Sequence, residues 1–82
     1  MRQIWVVDDD RSIRWVLEKA LTRAQMPFRL FESAADVVKA FEHDTPSVLL
    51  SDIRMHDMSG LDLLAFVKNK YPGLPVIIMT AF

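Results

Sequence analysis

The stretch Ile4-Trp5-Val6-Val7-Asp8-Asp9-Asp10 decides the reading of this 82-residue chain. Its first four residues are apolar at consecutive positions, so both faces of an extended strand would be greasy. That is the pattern of a central strand covered by helices on both sides. Three acids then stop it. From Ser12 the period changes to that of a helix: Ile13, Leu17, Ala20, Leu21 and Ala24 share one stripe, with Arg14 and Glu18 on the wet side.

The same alternation continues outward. After Pro27, Phe28-Arg29-Leu30-Phe31 reads as a second strand. Ser33 then sits as an N-cap with Asp36 three residues on, and Ala34, Val37, Val38 and Phe41 supply a second helical stripe. Asp44-Thr45-Pro46 is a turn before a third strand, Val48-Leu49-Leu50-Ser51, which Asp52 ends. A loop from Ile53 to Gly60 leads into a third helix carrying Leu61, Leu63, Leu64, Phe66 and Val67, closed by Tyr71-Pro72-Gly73. Pro75-Val76-Ile77-Ile78-Met79 is a fourth strand ending at Thr80. Strands alternating with helices demand right-handed crossovers, hence an α/β fold with a doubly wound parallel sheet and helices on both faces.

Composition fits one small packed domain. Hydrophobic residues make up 51% and charged residues 26%, against the signature of disorder. The absence of cysteine excludes a disulfide scaffold and thiolate metal sites and accords with a cytoplasmic setting. A net charge of −1 gives no electrostatic footprint for nucleic acid, and no apolar run is long enough to span a membrane. The basic residues are dispersed over helix faces, and Met55, Met58 and Met79 read as core filling.

In an open parallel sheet, ligands bind beyond the carboxyl ends of the strands. This sequence delivers Asp8, Asp9 and Asp10 there from strand one, Asp52 from strand three and Thr80 from strand four. If strands one and three are neighbours, three or four carboxylates share a crevice. Such a cluster needs a counter-ion, and hard oxygen donors call for Mg²⁺. Asp10 alone could equally be an acid offsetting a helix dipole. A carboxylate beside such a metal can act as a nucleophile toward phosphorus. Two alternatives stay open: an aspartate-nucleophile phosphatase using Asp8 and Asp10, and an interaction module whose acids are a relic.

The strings Val6-Val7-Asp8-Asp9-Asp10, Leu49-Leu50-Ser51-Asp52-Ile53-Arg54-Met55, Gly60 and Pro75-Val76-Ile77-Ile78-Met79-Thr80-Ala81 resemble the receiver domain of two-component response regulators, most closely the NtrC (nitrogen regulation) family. The resemblance implies a flavodoxin-like topology with strand order 2-1-3-4 over residues 1–82. It implies Asp52 as phosphoacceptor, Thr80 as switch hydroxyl, and Mg²⁺ held by Asp8, Asp9, Asp52 and the Arg54 carbonyl, with Asp10 extending the cluster. It also implies a sensor histidine kinase as donor, and activator and DNA-binding domains as output. Receivers continue through a fifth strand with a lysine, so the domain is expected to be incomplete at its C-terminus. Its fourth strand would then be an open apolar edge that invites homodimers or exchange of elements between chains. Where the family usually has proline and frequently glycine, this chain has His56 and Asp57. A looser loop, a solvated His56 and one more negative charge near the metal are therefore expected.

Overall fold

The computed structural model describes residues 2–79. Seven elements follow one another: β1 (Ile4–Val7), α1 (Arg11–Arg23), β2 (Phe28–Phe31), α2 (Ala34–Ala40), β3 (Val48–Asp52), α3 (Gly60–Lys70) and β4 (Val76–Met79). The strands form one parallel sheet in the order β2-β1-β3-β4. With right-handed crossovers, the step from β1 out to β2 puts α1 on one face, and the two steps the other way put α2 and α3 on the opposite face. Thr80 lies outside the described residues.

Residue chemistry explains each boundary. Asp10 caps α1, its carboxylate accepting from the amides of Ser12 at 2.8 Å and Ile13 at 3.4 Å. Ser33 and Ser59 cap α2 and α3 through their hydroxyls, accepting from the amides of Asp36 and Asp62. α1 ends in a Schellman arrangement: Gln25 donates to the Thr22 carbonyl and Met26 to that of Leu21, both at 3.0 Å. That turn forces Gln25 to φ 58°, a left-handed conformation that costs a residue with a β-carbon.

The core lies between the sheet and the α2–α3 layer. Trp5, Val7 and Leu49 from the strands meet Val37, Phe41, Leu63 and Val67 from that layer, all buried. The Trp5 ring packs 5.1 Å from Phe31 and 5.0 Å from Phe41, and Phe41 stacks on Tyr71 at 4.9 Å. Met55 and Met58 pack against this cluster.

The α1 face departs from the sequence expectation. No residue of α1 is fully buried; Leu17 and Leu21 of the anticipated stripe are half-buried, while Ile13, Ala20 and Ala24 are exposed. Trp15 is 59% exposed and Ile77, on β4, 53%. The reason is geometric: α1 is the single described helix on its side of a four-stranded sheet and lies against β2, so it cannot cover β4. Arg14, expected in solvent, is turned inward. Its side chain is 18% exposed and its Nη1 donates to the Asp8 carbonyl at 2.7 Å.

Relieving the strained helix end gives a test of this packing. Gln25→Gly should raise stability by about 0.5–1 kcal/mol, read as a higher urea midpoint at unchanged slope. An unchanged or lower midpoint would show that the left-handed turn carries no strain.

Candidate functional site: an acidic crevice between two parallel strands

Sheet register brings the acids together. Val7 on β1 is paired with Ser51 on β3, so Asp8 and Asp52, one residue further along parallel strands, emerge side by side. Asp9 follows on the same edge. One carboxylate oxygen from each of Asp8, Asp9 and Asp52 lies within 4.8 Å of the others. Asp8 is 3% exposed; Asp9 and Asp52 are half-buried.

Each acid is held by short local bonds. The Asp8 amide donates to the Phe31 carbonyl at 3.1 Å, and its Oδ1 accepts from the Asp10 amide at 2.8 Å. Asp52 Oδ1 accepts from the Ile53 amide at 2.9 Å. Asp9 Oδ2 accepts from the His56 amide at 3.2 Å, with the His56 Nε2 at 3.5 Å from the same oxygen. Asp10 stands outside this trio, its carboxylate committed to capping α1. Arg54 is exposed.

The electrostatics are unresolved within the chain. Burial pushes the Asp8 carboxyl above the usual carboxylate range; the Asp10 amide offsets part of this, and the charges of Asp52, Asp9 and Asp10 push it up further. Among the described residues no arginine or lysine pairs with any of the three carboxylates: the nearby Arg14 spends its guanidinium on the Asp8 carbonyl and on Glu32, at 3.9 Å. Three hard oxygen donors without a fixed cation suit a hard divalent ion of the magnesium type.

Gly60 completes the frame. A β-carbon there would fall on the Asp52 carbonyl oxygen and come within 2.9 Å of Ile53 Cα. The amide of Gly60 donates to the Ile53 carbonyl at 2.8 Å. The start of α3 is thus seated directly on the backbone of Asp52, an approach that only glycine permits.

The loop after Asp52 is anchored by two residues at the positions where the family pattern departs. The His56 N–H, a donor that proline would lack, reaches Asp9. Asp57 does not join the acidic trio; its carboxylate accepts from the amides of Ala35 at 2.8 Å and Ala34 at 3.3 Å, at the start of α2. The His56 ring is exposed, as expected, but lies against Asp9. Neither anchor was anticipated from sequence; the donor that appears when proline is lost was the available signal.

Comparison with known proteins bears on the same residues. The family model of the response regulator receiver domain matches residues 4–82. The DNA-binding transcriptional regulator NtrC of Proteus hauseri is 65% identical over 78 residues, covering 95% of this chain and 16% of that protein. NtrC of Escherichia coli K12 is 59% identical over 95% of this chain and 17% of its own length. The chain therefore spans about a sixth of the curated relatives it matches. Among solved structures, the apo receiver domain of nitrogen regulatory protein C superposes with a TM-score of 0.86 at 56% identity, over 98% of this chain and 64% of that one. The response regulator TrrA from Thermotoga maritima, in complex with Mg²⁺ and BeF, gives a TM-score of 0.92 at 28% identity, over 100% and 71%.

The raised Asp8 value fixes the sign of a pH effect. A carboxyl whose folded value lies above its unfolded one favours folding at low pH, and that contribution is lost as pH rises through the folded value. Asp8→Asn keeps the acceptor for the Asp10 amide and removes the charge. In metal-free buffer at pH 7 it should stabilise the fold by about 1–3 kcal/mol, the scale of close like charges at moderate dielectric. The gain should vanish below about pH 4, near the ordinary aspartate value. Equal stability of both proteins across the pH range, measured by urea unfolding, would contradict this.

Proposed function

The chain belongs to the response regulator receiver domain family, and from that premise we propose that it is the phosphoacceptor module of an NtrC-type two-component transcriptional regulator, receiving its phosphoryl group on Asp52. The observation that carries the reading is the convergence of Asp8, Asp9 and Asp52 within 4.8 Å. The identity with regulators named NtrC, at 59–65%, supports the regulatory class.

In this reading Asp8, Asp9 and Asp52, with the Arg54 carbonyl, hold Mg²⁺. When bound there, the ion would supply charge neutralisation to the transferring phosphoryl oxygens. Everything else falls to the chain's own groups. Asp52, at the tip of β3 with its Oδ1 held by the Ile53 amide, presents a carboxylate oxygen to the phosphorus. A new O–P bond forms on Asp52 as the donor's N–P bond breaks, for a phosphohistidine donor, and the imidazole leaves with the electron pair. Buried Asp8 and its neighbours supply the negative field that draws the cation, and the Gly60 contact fixes the Asp52 backbone during transfer. Thr80, outside the described residues, is the proposed switch hydroxyl.

The donor is a sensor histidine kinase or a small acyl phosphate. The output is carried by activator and DNA-binding segments of the kind that make up most of the NtrC relatives' length, in the cytoplasm. The chain makes no direct contact with nucleic acid. No helix of the described residues is long and apolar enough to cross a membrane. It acts as a signalling module, with chemistry limited to its own phosphorylation and dephosphorylation. A phosphatase based on Asp8 and Asp10 is disfavoured, because Asp10 is occupied as the α1 cap.

Incubation with acetyl phosphate and Mg²⁺, followed by intact-mass spectrometry, tests the reading. One phosphoryl group should be gained, and none when EDTA is present from the start or when the protein is Asp52→Asn. Equal labelling of Asp52→Asn, or labelling indifferent to the metal, would overturn it.

A further inference from the structure

Residues 53–59 connect the proposed phosphoacceptor to α3, and two side-by-side contacts pin this loop to different elements. His56 bonds through its amide to Asp9, behind β1. Asp57 reaches across 22 and 23 residues of sequence to the amides of Ala35 and Ala34. Helix α2 already has a cap in Ser33, whose hydroxyl serves the Asp36 amide, so Asp57 takes up the two N-terminal amides that Ser33 leaves free. Slight burial alone would raise the Asp57 carboxyl. The amides of Ala35 and Ala34, and those of Asp57 and Met58 in its own loop, outweigh this and hold it below the usual range. The carboxylate is therefore gripped from both the helix and the loop.

We propose that Asp57 is a positioning residue that clamps the β3–α3 loop onto the start of α2 and so holds the loop's backbone against the acidic crevice, doing by side-chain hydrogen bonding what a rigid proline would do by fixing φ. The inference deepens the proposed function and rests on it for its consequence at the metal. Its geometric half stands without any ion. If Asp57 lets go, the loop loses its attachment to α2, and the next contact along, the His56 amide on Asp9, loosens with it. Removing a merely local helix cap would fray the first turn of α2 and leave the His56 amide untouched.

The test compares Asp57→Ala and Asp57→Asn with the unaltered chain. Asparagine keeps one acceptor oxygen, enough for the shorter bond from the Ala35 amide, while its NH2 cannot accept from Ala34 and the charge is gone. In metal-free protein, amide hydrogen exchange by NMR should accelerate at least fivefold at Ala35 and at His56 in Asp57→Ala, and return to within twofold of the original in Asp57→Asn. In a Mg²⁺ titration followed by the same amide resonances, affinity should fall three- to tenfold in Asp57→Ala and be largely restored in Asp57→Asn. Faster exchange confined to Ala34 and Ala35 would reduce Asp57 to a helix cap and overturn the clamp. Affinity equally weak in both variants would assign the effect to charge and overturn it as well. Should the unaltered chain bind no Mg²⁺, the metal-binding reading fails, and the exchange at His56 still decides the clamp.

Discussion

Three carboxylates brought within 4.8 Å of one another, one of them buried, are the constraint on which the rest of this structure turns. Parallel pairing of β1 with β3 imposes it: once Val7 is opposite Ser51, the acids that follow cannot avoid each other. The hydrophobic core enforces that pairing, because Trp5, Val7 and Leu49 are buried in one cluster and a shift of a single residue would turn them out of it. Packing energy is thereby used to hold like charges together. On the proposed function a divalent cation bound by the three acids would release that tension, and the crevice would then be an ion-dependent element.

Around the crevice the backbone is tied down at every exit. Asp10 turns the chain into α1, Arg14 reaches back to the Asp8 carbonyl, Gly60 seats α3 on Asp52, and His56 and Asp57 fasten the intervening loop. These bonds leave the Asp52 carboxylate as the acid of the trio that ends a strand and opens into a loop. That placement is in keeping with the proposal that Asp52 is the group that reacts, with Asp8 and Asp9 as the groups that attract the ion.

Much of this was legible in the amino-acid order. Four short apolar runs separated by helical stripes gave the element order and the α/β class, and the strand order implied by the receiver resemblance, 2-1-3-4, is the one found. The serine caps at Ser33 and the acids at strand ends were equally visible, because capping and strand termination are local. What depended on distant partners was not. The α1 stripe is only half covered because burial depends on what else lies on that face of the sheet. Arg14 turned inward because the Asp8 carbonyl, six residues back and just past the end of β1, competes with water for its guanidinium. The loop at His56 and Asp57 carries two long-range hydrogen-bonded anchors, since losing proline supplies a donor as well as freedom. The resemblance identified both positions as departures, but which groups they bind is set by tertiary proximity to Asp9 and α2.

The central claim, that the acids of β1 and β3 form one cation site whose repulsion the ion relieves, is tested most directly by thermal unfolding against Mg²⁺ concentration. The account predicts a midpoint that climbs with the logarithm of free Mg²⁺, amounting to about 2.7 kcal/mol at a hundredfold excess over the dissociation constant. It predicts no climb in the doubly neutralised Asp8→Asn, Asp52→Asn protein. A midpoint indifferent to Mg²⁺ in the original chain, or rising equally in the neutralised one, would contradict it.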